Sequence, residues 1–224
     1  AGDRAATLGA LLGVDAVREW APDEARLVGA AGGDDGLVAK AHLALARRAE
    51  EDDLTAAHLC AAARSLARAG STDEAVSTLE QALERVPGHA YAVALLEMLY
   101  RARGDSAAVV KLLRDAAEAH GGTRAAVVEL LLAGAAAEAA NDVDTAKETY
   151  EQAADQAPDS PSPLRALERL ARTHDDDELM LRAQEGLSAR ELALGETRIA
   201  TLEMGEHYAL LGKGALAESP LQSC

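Results

Sequence analysis

The sequence predicts an all-α protein, a solenoid of antiparallel helical hairpins. Three observations carry that reading: alternating strand patterns are absent, Ala and Leu dominate an apolar share of 49%, and one helical pattern recurs along the chain. Ala loses no side-chain entropy on entering a helix, so its abundance favours helices. Its methyl group fills little space, so the helices must approach closely and bury Leu between them. With no Phe, one Trp and four Tyr, the core has few rings.

The clearest copy of the pattern is Ser71–Pro87, STDEAVSTLEQALERVP. Ser71 and Glu74 have capping-box spacing and predict a helix start after Gly70. Ala75, Leu79 and Ala82 then share one face, and Pro87 ends the unit. A second copy runs from Asn141 as NDVDTAKETYEQAADQAP, with Ala146, Tyr150, Ala153 and Pro158 at identical spacings. Leu130, Gly134 and Ala137 form the stripe of the helix before it, and Thr201, Gly205 and Tyr208 form a similar stripe near the C-terminus. Taking the first small residue of each second helix as a marker gives Ala75, Val109, Ala146, Met180 and Ala217, at intervals of 34, 37, 34 and 37. The longer intervals carry extra residues near Gly121–Ala126 and Leu192–Thr197, close to one helical turn, so the packing face is kept. Short turns at Gly70-Ser71, Gly104-Asp105, Asn141-Asp142 and Asp175–Asp177 join the two helices of each hairpin.

Small-x3-large-x2-small-x4-Pro resembles the second helix of a tetratricopeptide repeat, and the interval is close to that family's period. The resemblance covers residues 22–224 and implies hairpins at about 22–55, 56–89, 90–126, 127–160, 161–197 and 198–224. Residues 1–21 are expected to hold an N-terminal helix, over Arg4–Glu19, or part of a hairpin. In the first hairpin Pro22, Gly29, Gly36, Ala41 and Leu45 fit the pattern, and Ala39, Leu43 and Ala46 offer a second register. Met180 and Gln184 replace the family's small and aromatic residues. Glu97 and Glu168 stand where it has Gly or Ala, which predicts that those two hairpins are splayed or locally shifted in register. The resemblance further implies a right-handed superhelix whose first helices line a concave, protein-binding face. Ala217, Leu221 and Cys224 carry the core face of the last second helix to the final residue. That predicts further repeats beyond Cys224, or a neighbouring molecule covering the end.

A formal charge of −16 disfavours binding that depends on neutralising phosphates, on nucleic acid or on an anionic membrane. It does keep an Ala-rich surface soluble. Cys60 and Cys224 provide neither a disulfide framework nor metal spacing, and Cys60 reads as a small buried residue. No stretch has transmembrane length. With no signal-peptide pattern either, the cytoplasm is the default expectation for a chain whose compartment the sequence does not name.

Motifs that could carry chemistry are few. In His174-Asp175-Asp176-Asp177-Glu178, consecutive side chains on a turn cannot all face one ion. Asp175 and Glu178 are expected to cap the next helix instead. Asp142-x-Asp144 begins like a calcium loop, but the required Gly and Glu positions hold Lys147 and Ala153. Glu206-His207 has no HExxH spacing, and no phosphate loop or nucleophile elbow occurs. No catalytic residue, cofactor or metal is implied.

The outward face of the helix at 161–173 carries Arg165, Arg169 and Arg172. In an acidic chain, a row of guanidinium groups suits a carboxylate-bearing partner. Arg64, Arg68 and Arg101 extend that character to earlier hairpins, and Tyr91, Leu95 and Met98 add an apolar patch. The competing reading is surface pairing, as with Glu168 and Arg172 one turn apart. The Lys and Asn of the dicarboxylate clamp found in chaperone-binding relatives are missing. The expected function is a protein-interaction scaffold, not an enzyme, binding a protein or peptide with an acidic segment on the concave face. Alternatives are a structural subunit that self-associates end to end, or the regulatory arm of a longer enzyme.

Overall fold

The computed structural model describes residues 2–12 and 20–194, which form eleven helices and no strand. They fall into two compact units, divided between Ala119 and His120. The first unit holds α1 (Gly2–Leu11), α2 (Ala21–Gly32), α3 (Asp35–Arg48), α4 (Asp52–Arg68), α5 (Thr72–Arg85), α6 (Ala90–Arg103) and α7 (Ser106–Ala119). The second holds α8 (Arg124–Ala139), α9 (Val143–Gln156), α10 (Ser162–His174) and α11 (Asp177–Leu194). After α1 the helices pair as α2/α3, α4/α5 and α6/α7 in one unit, and as α8/α9 and α10/α11 in the other. The chain is thus an all-α helical solenoid of hairpins. The expected helix over Arg4–Glu19 ends at Leu11, and its remaining positions lie outside the described residues. So do Thr201, Gly205, Tyr208, Ala217 and the C-terminal half-hairpin.

Each hairpin turn is built the same way. One left-handed residue closes the first helix and the next residue opens the second. The left-handed positions are Gly33, Gly70, Gly104, Asn141 and Asp175, recurring at 37, 34, 37 and 34 residues. Asn and Asp are the residues besides Gly that most readily take this conformation. The aspartate that follows accepts an amide hydrogen bond in the next turn of helix: Asp34 from Leu37 at 2.9 Å, Asp105 from Ala108 at 3.0 Å, Asp142 from Thr145 at 3.2 Å and Asp176 from Leu179 at 2.9 Å. Each satisfies one of the orphan donors of a helix N-terminus.

Two capping expectations need correction. Asp175 does not cap α11; at φ 54° it closes α10, and the cap falls to Asp176. Ser71 makes no side-chain cap bond. Its amide instead closes the preceding helix on the Leu66 carbonyl at 2.9 Å, and Asp73 and Glu74 leave negative charge at the α5 N-terminus.

Counting from these turns fixes the register. Five residues after the left-handed residue come Ala75, Val109, Ala146 and Met180, all buried. Four further on come Leu79, Leu113 and Tyr150, each at most 1% exposed, and then Gln184. In the first hairpin the same count gives Val38, His42 and Leu45, so neither expected register holds there. The extra turn that separates Val38 from Ala75 by 37 residues hid this from a count at 34.

The small residues set how closely the helices cross. A Cβ on Gly134 would lie 2.4 Å from Tyr150 Cε1, so the α8 backbone rests on the ring. Ala63 holds the equivalent place in α4. Glu97 and Glu168 hold it in α6 and α10, where the carboxylates turn outward to Arg101 and Arg172, each at 2.8 Å. As expected of splayed hairpins, α6 packs less extensively on α7, and α10 on α11, than α4 on α5 or α8 on α9.

Because Tyr150 is buried and its hydroxyl is tethered, the ring cannot retreat. Gly134→Ala should therefore lower stability by about 1 kcal/mol, as overpacking outweighs the helix-propensity gain of Ala. The check is the urea midpoint, and an unchanged or raised midpoint would show that the ring yields.

Candidate functional site

In the first unit, α4 and α6 lie side by side with their outward faces forming a groove of about 320 Å³. Ala63 and Ala67 make one wall low, and Leu79 and Leu99 form the buried floor. Leu95 and Met98 form the other wall, and Arg64 and Arg68 stand on the rim. Met98 is 54% exposed and Tyr91, one turn before Leu95, is 44% exposed. Arg64 donates to the Tyr91 hydroxyl at 3.4 Å, which bridges the two helices. Arg68 donates from Nε and Nη2 to one Asp35 oxygen at 3.0 and 2.6 Å, tying α4 to α3. Arg101 pairs with Glu97. The structure thus gathers Arg64, Arg68, Leu95 and Met98 around one groove, with Tyr91 at its edge and Arg101 further along α6.

The same unit holds a pair that the sequence reading missed. His42 of α3 and His58 of α4 meet Nδ1 to Nδ1 at 3.3 Å, with ring centroids 5.5 Å apart. Burial pushes the His42 pKa down to about 4, helped by the charges of His58, Arg26 and Arg64 and opposed by Asp23. Burial also lowers that of His58. The signal was available, since His42 lies four residues after Val38, but it required the correct register.

In the second unit Arg165, Arg169 and Arg172 do share the outward face of α10, in three different situations. Arg165 is exposed with no partner among the described residues, and Arg172 pairs with Glu168 on its own helix. Arg169 reaches back to α8, donating to Glu138 Oε2 at 2.8 Å and to the Tyr150 hydroxyl at 3.1 Å. Tyr150 donates to the same carboxylate at 2.9 Å. The guanidinium lies 6.0 Å from the Tyr150 ring centroid, within reach of a cation–π attraction. Arg169 holds the Glu138 carboxyl below its usual range, while burial and the Glu138 contact raise the Tyr150 phenol to about 12. This triad joins α8, α9 and α10.

Other candidates offer no chemistry. Cys60 is buried and its thiol is pushed up to about 11 by desolvation, far from the thiolate form. Asp142 and Asp176 are engaged as caps. Among the described residues no group of three or more His, Cys, Asp or Glu could hold a metal ion, and no helix is long and apolar enough to cross a membrane. Glu206, His207 and Cys224 lie outside the described residues.

Repeated helical hairpins closed by a small-on-large crossing define a helical-repeat protein. The family model for the tetratricopeptide repeat matches residues 61–89 and 130–160, the α4/α5 and α8/α9 hairpins. Those two hairpins are thus similar to tetratricopeptide repeats. No curated protein matches the sequence. Among solved structures, a tetratricopeptide repeat protein from Parabacteroides merdae is 15% identical, over 90% of this chain and 77% of its own, with a TM-score of 0.46. The C-terminal part of a TPR repeat-containing protein from Cytophaga hutchinsonii is 12% identical, over 99% and 88%, with a TM-score of 0.49. MamA is 14% identical, over 71% and 90%, with a TM-score of 0.43.

Two outcomes follow. Arg169→Ala strips Glu138 and Tyr150 of a charged partner and should cost about 1 kcal/mol, while Arg165→Ala should leave the urea midpoint unchanged. Equal effects would remove Arg169 from the packing of the hairpins. The second concerns pH. His42 stays neutral in the folded chain down to about 4, whereas the unfolded chain takes up the proton near 6.5. Its contribution is complete above 6.5 and is lost as pH falls through that window. Between pH 7 and 5 the melting temperature should drop more for the native chain than for His42→Leu, and parallel slopes would count against the coupling.

Proposed function

We infer that the chain is a protein-interaction scaffold, not a catalyst, and that the first unit grips its partner in the groove between α4 and α6. The supporting observation is the coincidence of Met98 and Tyr91, exposed at 54% and 44%, with Arg64 and Arg68 on the rim of an apolar trough. Exposed large apolar side chains beside a formed groove mark binding surfaces in soluble proteins. Guanidinium groups beside them add preference for carboxylates. The partner is accordingly a protein segment that places aliphatic side chains between Leu95 and Met98 and an acidic residue near Arg64. Hydrophobic anchors supply most of the affinity, and the charged rim sets selectivity and encounter rate. In the second unit Arg165 and Arg172 offer acidic segments a further contact on α10, while Arg169 is already engaged.

The test is capture from the native cell extract on immobilised chain, compared with chains carrying Met98→Glu or Arg64→Ala. Both residues are exposed, so folding should survive. A defined set of proteins should fall at least tenfold with Met98→Glu and less with Arg64→Ala, and added salt should imitate the arginine variant. Identical capture by all three chains would refute this groove as the binding site.

A further inference from the structure

A second groove in the first unit lies on the opposite layer, between the successive second helices α5 and α7, with α6 as its floor. It measures about 480 Å³, within the range of ligand-binding clefts. Val93, Leu96, Leu112 and Ala116 make its buried base, with Leu83 beside them. Its titratable lining is Glu80, Glu84, Asp115, Tyr100 and Lys111, so three carboxylates stand against one ammonium.

The pairing of these groups leaves the groove open. Lys111 donates to Asp115 on its own helix at 2.8 Å, and Tyr100 donates to Glu80 at 2.9 Å. Glu84 has no partner among the described residues. The corresponding groove of the second unit, between α9 and α11, is instead bridged by Arg182 to Glu151 at 3.0 Å. Across the seam Lys111 of α7 also feels the negative charge of Glu80 on α5. The trough thus has an apolar floor and a rim with acids in excess, three carboxylates to the single Lys111 ammonium, which is itself paired with Asp115.

We propose that the α5/α7 groove is a docking site for a cationic amphipathic helix of a partner protein. Such a helix would lay Leu-type side chains over Leu96 and Leu112 and set Lys or Arg against Glu80, Glu84 and Asp115. An amphipathic helix in an apolar groove is a recurrent mode of recognition, and the carboxylate rim sets the sign of the partner's charge. The chain's overall negative charge steers the same kind of partner toward it. This site is independent of the α4/α6 groove, which prefers acidic segments.

The probe is a fluorescent, designed Leu/Lys amphipathic helix, titrated against the full chain by anisotropy. It should bind with an affinity that falls as salt rises, and its Leu/Glu counterpart should not bind. Glu80→Gln/Glu84→Gln/Asp115→Asn should weaken binding at least tenfold, and so should the single change Glu84→Lys, which disturbs no contact. A control that removes the same charge elsewhere, Glu50→Gln/Asp53→Asn/Asp144→Asn, should bind as the native chain does, and so should Arg64→Ala. Equal weakening by the control would reduce the attraction to net charge and overturn the site. Unchanged binding to Glu84→Lys, or binding of the Leu/Glu helix, would overturn it as well.

Discussion

The close crossing of the two helices in a hairpin is the contact on which the other features depend. Where the first helix offers Gly or Ala, a large side chain from the second can lie against backbone, as Tyr150 lies against Gly134. Interhelical distance is set by the side chains at the contact, so one residue governs how much of each helix is buried. With no Phe and few Tyr, this chain relies on Leu and on close approach. That explains why Ala is used so heavily and why a methyl group too many at a crossing should matter.

Where the crossing rule is broken, charge goes to the surface. Glu97 and Glu168 cannot be buried without a partner, so they turn outward to an arginine one turn along. The hairpins they belong to open slightly. Between the successive second helices α9 and α11, Arg182 pairs with Glu151, whereas Lys111 in the α5/α7 seam pairs with Asp115 on its own helix. His42 breaks the rule differently, placing a half-buried polar ring where Leu79, Leu113 and Tyr150 stand in the next three hairpins. It is satisfied by another imidazole across the α3/α4 seam, an arrangement that requires at least one of the two rings to be neutral.

The hairpin architecture was legible because helix periodicity and turn chemistry are local. Ala75, Leu79 and Ala82 spell out a packed face with no knowledge of neighbours, and Gly70 or Asn141 marks a turn by its backbone freedom alone. The first hairpin was misread because its large position holds His, and spacing counted at 34 cannot see an added turn. Site geometry was less accessible. The arginine row on α10 was correctly placed on one face, but sequence spacing shows only neighbours on the same helix. The contact from Arg169 to Glu138 spans 31 residues, and whether a guanidinium is free or engaged depends on such contacts. The α5/α7 groove was invisible for the same reason, since its walls come from helices separated by another.

Read as electrostatics, the first unit presents two different surfaces from one short stretch of chain. First helices α4 and α6 carry Arg64, Arg68 and Arg101 outward, while second helices α5 and α7 carry Glu80, Glu84 and Asp115 around their seam. The segregation follows from hairpin geometry, because a helix packed on one side has one face left for solvent, and alternate helices face opposite layers. A repeat can therefore vary the two faces independently without touching Leu79 or Leu113 at the core. Net charge, dominated by acids, hides this local division, since it averages the Arg64/Arg68 rim of one groove with the Glu80/Glu84/Asp115 rim of the other. On the binding modes we propose, partners of opposite charge would occupy opposite layers, because the residues that would select each partner are not those that hold the hairpins together.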